Sequence, residues 1–443
     1  MHIDSLVLAL SSAAPWHGDP VAPLALGLAV ILVTAKIGGE VAARLGQPAV
    51  LGELLVGVVI GNLALVGYGG LDYLKTDQVI DIFARVGVIV LLFEVGLEST
   101  VGEMLGVGWS AFLVACVGVA APFALGWAVG AWLLPEAGAY VHAFLGATLA
   151  ATSVGITARV LKDLGKERSP EARVILGAAV IDDVLGLVIL AALTAVIAAA
   201  DSGAPLSYGG LALTVGKAVI FLVGALFVGV RVSPRLFSLA SRLRASGVLL
   251  ALSLAFCFFL SWLADAVGLA AIVGAFAAGV VLEDAHFREF AARGERSIHD
   301  LIAPIASFVT PIFFVVIGTR ADLRVLARPE VVGLALALTA AAVVGKQACS
   351  AGLVGTKASR LVVGIGMIPR GEVGLIFAGI GLGLRVGGEP VIDQATFSAV
   401  VVMVMVTTMI TQPALSWAFA RAARKQSQGI QGSERFSAAE RNQ

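Results

Sequence analysis

Asp182 and Asp183 stand side by side in residues 174–200, where the only other ionisable group within helical reach is Arg173 at the start. A carboxylate at the centre of a bilayer costs about 2.5–3.5 kcal/mol on insertion scales. Two together therefore point to a site that holds a cation or trades protons. Neighbours on a helix differ by about 100° in direction, so one carboxylate can face a cavity while the other meets a partner. Gly177, Ala178, Ala179 and Gly186 leave room for water or a second helix to come close. The competing reading is a buried polar pair of purely structural use.

A cation of matching depth is Lys346, in the run 343–348. Counted at 1.5 Å per residue, Lys346 and Asp182 both fall near mid-membrane, so an ion pair between them is geometrically allowed. Breaking and remaking that pair would move protons, because a salt bridge and burial act in opposite directions on each group. A lysine that snorkels to an interface is the alternative.

Two segments read as interrupted helices. Residues 151–157 carry Thr152, Ser153, Gly155 and Thr157, and residues 367–374 carry Pro369, Arg370, Gly371, Glu372 and Gly374. Proline removes a backbone donor and glycine weakens a helix. Broken backbone survives at membrane depth only inside protein or beside water, where helix ends and free carbonyls can hold an ion. Arg370 and Glu372 are suited to compensating the ends of such a break.

The elements that must position these residues are membrane helices. The chain has 443 residues, 59% hydrophobic and 14% charged, and its apolar runs reach the ~20 residues needed to cross hydrocarbon. The fold class is an all-α polytopic membrane protein. Thirteen transmembrane helices are predicted: 22–44, 48–67, 79–98, 107–134, 141–164, 172–200, 209–231, 246–264, 268–283, 302–320, 331–354, 361–384 and 395–420. The ninth is short enough to be tilted or re-entrant. With 209–231 as a linker helix, the halves 22–200 and 246–420 form inverted-topology repeats whose fifth and twelfth helices, the two interrupted ones, take equivalent places. That argument is from order alone, since no residue-level repeat stands out.

Loop cations favour an outer N-terminus and a cytoplasmic C-terminus. Arg44, Lys162, Lys166, Arg168, Arg231, Arg235, Arg242, Arg244, Arg288, Arg293, Arg296, Lys357 and Arg360 fall inside, with a local exception at Arg320, Arg324 and Arg328. Residues 1–21 read as an N-terminal tail or interfacial helix, for His2 and Asp4 replace the positive lead of a signal peptide. Residues 421–443 read as a disordered cytoplasmic tail. Lys36 and Glu40, four apart, are expected to pair; Glu94 and Glu98 are candidates for an entry funnel or for solvated interfacial acids. Cys116, Cys257 and Cys349 lack metal-ligand spacing and read as small buried residues. The net charge is zero and no basic block with aromatics occurs, so nothing suggests nucleic acid. No nucleophile with its base, metal cluster or cofactor loop suggests an enzyme or a cofactor.

These stretches resemble the monovalent cation:proton antiporter-2 superfamily, most closely its NapA-type sodium/proton antiporters. The matching segments are 44–48 with 52–54, 92–98, 152–155, 180–187, 311–314, Gly345 with Lys346, and 369–374. The resemblance implies a NhaA/NapA-like fold and a homodimer in a cell (inner or plasma) membrane. Its core domain would carry a monovalent cation, Na+ before Li+ or K+, against protons. It implies Asp183 as main ion ligand, Asp182 as partner of Lys346, and Thr152, beside Ser153, completing the coordination of transported Na+. Potassium-efflux relatives usually have a glutamine–aspartate pair and a nucleotide-binding domain, neither present here. Electroneutral relatives tend to have asparagine before the aspartate, so the acidic pair argues for electrogenic exchange. The alternatives are a potassium/proton antiporter, a sodium-coupled organic anion symporter of similar architecture, and a non-transporting sensor or scaffold.

Overall fold

The computed structural model describes residues 21–98, 108–201, 208–240, 243, 245, 247–282, 297–356 and 358–440. Apolar runs without breakers become long helices: α1 (Val21–Arg44), α2 (Ala49–Gly61), α3 (Gln78–Glu98), α4 (Trp109–Leu133), α5 (Ala139–Ala150), α6 (Val154–Asp163) and α7 (Pro170–Asp201). After α8 (Tyr208–Ala240) come α9 (Val248–Ala266), α10 (Ala271–Val281), α11 (Ile298–Thr319), the single turn α12 (Leu323–Leu326) and α13 (Pro329–Ala348). The chain ends with α14 (Arg360–Gly366), α15 (Glu372–Gly383) and α16 (Gln394–Glu440). A two-stranded ribbon, β1 (Arg385–Val386) against β2 (Glu389–Pro390), precedes α16. Among the described residues, 8 helices are long and apolar enough to cross a membrane, or up to 9 if the bent α8 counts as one span. The chain is a multi-pass, mainly helical membrane protein.

The helices pack as two groups. α3 lies against α10 and α11, α11 against α2, α1 against α2 and α9 against α10. In the second group α4 touches α5, α7 and α13, α13 lies on α16, and α16 also meets α14 and α15. α8 leans on α7 from one group and α10 from the other. Between α11 and α13 the connector is tied to both sides. Asn62 of α2 donates to the Ala321 carbonyl at 2.7 Å and accepts from the Leu323 amide at 3.0 Å. From α16, Ser398 accepts the Asp322 amide at 3.1 Å, and Gln394 donates to the Arg320 carbonyl. Arg320, one of the cations that breaks the loop-charge rule, is paired with Asp81, which also binds Arg85 at 2.7 Å.

The first group contains two matched sets of glycine contacts, in stretches where Gly57-Val58-Val59 recurs as Gly279-Val280-Val281. Gly57 of α2 meets Gly318 of α11, and Gly96 of α3 meets Gly279 of α10. At each glycine a Cβ would fall 2.7–3.0 Å from the facing glycine's Cα and against the carbonyl of the residue three before it: Leu54, Val315, Phe93 or Phe276. Gly57 and Gly279 are separated in sequence by the same interval as Gly96 and Gly318. Gly52 and Gly274, which pack on the carbonyls of Gly38 and Leu260, keep that interval as well. Small residues here let backbones touch, the usual means of joining helices in lipid.

Several expectations need correction. Glu40 pairs with Arg44 at 2.8 Å rather than with Lys36, because the arginine one turn further on reaches it first. α8 continues to Ala240, beyond the expected 231. The N-terminal tail, 1–20, lies outside the described residues.

Gly279→Val should be poorly tolerated, since its Cβ would sit 2.7 Å from Gly96 Cα, and overpacking of this kind costs about 1–3 kcal/mol. Thermal unfolding in detergent should show a clearly lower midpoint for it and for Gly57→Val alike. An unchanged midpoint in either would show that the crossing has slack.

Candidate ion-binding site

Both interrupted segments are broken, and the breaks lie against each other. α5 stops at Ala150 and α6 resumes at Val154, while α14 stops at Gly366 and α15 starts at Glu372. The backbone groups freed by each break are satisfied largely by the other. The Ser153 amide donates to the Pro369 carbonyl at 3.0 Å, and Thr157 Oγ1 donates to the Gly366 carbonyl at 2.8 Å. Thr152 Oγ1 reaches the Met367 carbonyl at 3.4 Å. A fully buried Arg370 donates through Nη1 to the Ala151 carbonyl at 2.7 Å, and its own carbonyl accepts from Thr408 of α16 at 2.7 Å.

Arg370 thus places its charge at the negative C-terminal end of α5, and Glu372 places a carboxylate at the positive N-terminal end of α15. Ser153 joins the halves once more: Oγ donates to Glu372 Oε2 at 2.9 Å while accepting the Ile156 amide at 3.5 Å as N-cap of α6. Gly371 must be small because a Cβ there would lie 2.7 Å from Ser153 Oγ.

The paired aspartates come to this crossing from α7. Asp182 is fully buried and receives both contacts of Lys346 Nζ, at 2.9 Å to Oδ1 and 3.2 Å to Oδ2. Lys346 is itself fully buried, in the last turn of α13. Two glycines place it. At Gly118 of α4 a Cβ would touch Lys346 Nζ at 3.6 Å, and at Gly345 a Cβ would fall 2.8 Å from Pro122 Cα. Asp183 is 2% exposed, and its Oδ1 has no hydrogen-bond partner in the protein. It lies within coulombic range of Asp182, Glu372 and Lys346. As the 100° offset requires, the two carboxylates have different roles: one is tied down and one is open.

The sequence-derived residues are therefore assembled as two linked sets, Asp182 with Lys346 beside Asp183, and Thr152 and Ser153 with 367–372. Thr408 and Gly118 were not foreseen. A threonine doublet, Thr407 and Thr408, inside an otherwise apolar helix was the available signal for the first; nothing in one sequence marks the second among 52 glycines.

A family model described as sodium/hydrogen exchanger, transmembrane, matches residues 29–420. The chain belongs to this family. The sodium/hydrogen exchanger assignment makes it a cation:proton antiporter and not an enzyme. The chain is 37% identical over 435 residues to the high-affinity Na+/H+ antiporter NhaS3 of Synechocystis, covering 90% of this chain and 91% of that one. It is 34% identical over 397 residues to the Na+/H+-K+ antiporter GerN of Bacillus cereus, covering 88% and 95%. Its fold is similar to that of the sodium proton antiporter MjNhaP1 from Methanocaldococcus jannaschii, with a TM-score of 0.66, 17% identity, and coverage of 89% and 97%.

In this exchanger, Lys346→Ala should leave Asp182 buried without its cation, and losing one partner of a buried pair costs about 3–5 kcal/mol. A double variant, Asp182→Asn with Lys346→Gln, should recover part of that loss. The check is thermal stability of both variants in detergent. A double variant no more stable than Lys346→Ala would mean that the pair is not coupled.

Proposed function

We propose that the chain exchanges Na+ for protons across a cell membrane, electrogenically, with cation and protons competing for Asp183. The observation that carries this reading is the contrast within the doublet: Asp182 is held by Lys346, and Asp183 is buried with an oxygen that no protein group satisfies. With all ionised, Asp182, Asp183, Glu372, Lys346 and Arg370 sum to one negative charge. One monovalent cation or one proton neutralises that set. A second proton is released if cation binding breaks the Asp182 and Lys346 pair and the Lys346 ammonium gives its proton to solvent, to be taken up again when the cation leaves; more protons than cations then move per cycle. Thr152, Ser153 and nearby carbonyls at the broken helices supply neutral oxygens for the ion.

The two packed groups support alternating access, with α4–α7 and α13–α16 as the moving core and α1–α3 with α9–α11 as the frame. Counting each broken pair as one crossing and leaving out the single turn α12 gives thirteen, and the repeated glycine contacts support inverted halves in the frame. We place the N-terminus outside and the C-terminus in the cytoplasm, and expect a homodimer. The relatives' names favour sodium over an exclusive potassium exchanger, and they mention no organic anion.

In everted vesicles, Na+ should dissipate an imposed pH gradient with the wild-type chain and not with Asp183→Asn. Exchange that survives the substitution unchanged would remove Asp183 from the mechanism. Each net charge moved is worth ~2.3 kcal/mol per 100 mV, so an imposed potential should change the rate. Equal rates at zero and imposed potential would contradict electrogenic exchange.

A further inference from the structure

The charge count above includes Glu372 but gives it no contact with the ion, and its setting differs from that of Arg370. Arg370 is fully buried, whereas Glu372 is partly exposed although it sits at the crossing itself. Ser153 fixes its carboxylate through both oxygens, at 2.9 and 3.3 Å. It lies within coulombic range of Asp183 on α7 and of Glu98 on α3. Glu98 approaches His299 of α11 at 3.8 Å, each about half exposed, and Glu94 feels both. Gly155, two residues from Ser153, is exposed, with open space where a Cβ would be. A row of acids therefore leads from the frame, Glu98 with Glu94, to the core, Glu372, and on to the unsatisfied Asp183.

The geometry points to Glu372 as the carboxylate that receives the incoming cation from the side of Glu98 and hands it to Asp183. This inference rests on the exchange reading given above. A cation leaving water must be met by negative charge before it reaches a dry site. Clefts lined by one sign of charge raise the local concentration of the opposite ion. Glu372 is placed for this because it belongs to the proposed moving core, is partly exposed, and is oriented by Ser153. If it only neutralised the end of α15, its charge would matter to stability and not to the concentration of cation needed.

Full-chain protein reconstituted in liposomes tests this through the Na+ dependence of proton efflux. Glu372→Gln should raise KM for Na+ about tenfold while keeping the maximal rate within about twofold. Glu372→Asp should restore most of the loss. Wild-type exchange with an unchanged KM in Glu372→Gln, or a lost maximal rate at unchanged KM, would overturn the assignment while leaving the exchange reading intact. Wild-type vesicles inert to every alkali cation would refute both. Should Glu372→Gln not assemble, Glu98→Gln, at an exposed position, reads the same row: a rise of about two- to threefold in KM supports it and no change overturns it.

Discussion

Charge that must remain in a dry place is the constraint on which this molecule is built. Asp182, Asp183, Lys346 and Arg370 are all nearly or wholly buried, and each isolated charge would be expelled or neutralised by the cost of leaving water. The protein answers with local compensation. Lys346 binds Asp182, Arg370 binds a free carbonyl at one helix end, and Glu372 occupies the opposite kind of end. Of the three acids at the crossing, Asp183 keeps an oxygen unanswered by protein, while Arg370 keeps Nε and Nη2 without partners. On the proposed reading, affinity for a small cation follows from that asymmetry more than from the number of acids.

The crossing of α5/α6 with α14/α15 gives the asymmetry a rigid frame. Unwound backbone is affordable in a membrane interior only when every freed group finds a partner, and here the two breaks are largely each other's partners. Thr157, Thr152, Ser153 and Arg370 reach across, and Thr408 holds the second break from outside. The four helix ends and the proposed ion ligands therefore belong to one packed group, as a core that moves without dismantling its site requires. The frame has the opposite construction, apolar helices locked at glycine crossings, with polar ties to the core at the connector around Arg320 and Asp322.

Much of this was legible in one chain because the informative residues are costly. The aspartate doublet, Lys346 and the Pro369–Gly371 break stand out in apolar surroundings, and their expected pairing and interruption are present. Partners chosen by register were less legible. Glu40 has both Lys36 and Arg44 at helical spacing, and which of them it binds depends on where each side chain points. The matched glycine contacts were hard to see because small apolar residues recur in every membrane helix: Ala49, Gly52, Gly57, Val58 and Val59 return as Ala271, Gly274, Gly279, Val280 and Val281, a pattern little different from its surroundings.

Competition between cation and proton for one unsatisfied carboxylate is measured most directly by calorimetry of Na+ binding to the purified protein, in buffers of different ionisation enthalpy. The account predicts that Na+ binding releases protons, that the apparent affinity falls as the pH falls, and that Asp183→Asn abolishes the signal. Binding that releases no proton and keeps the same affinity across pH would contradict it.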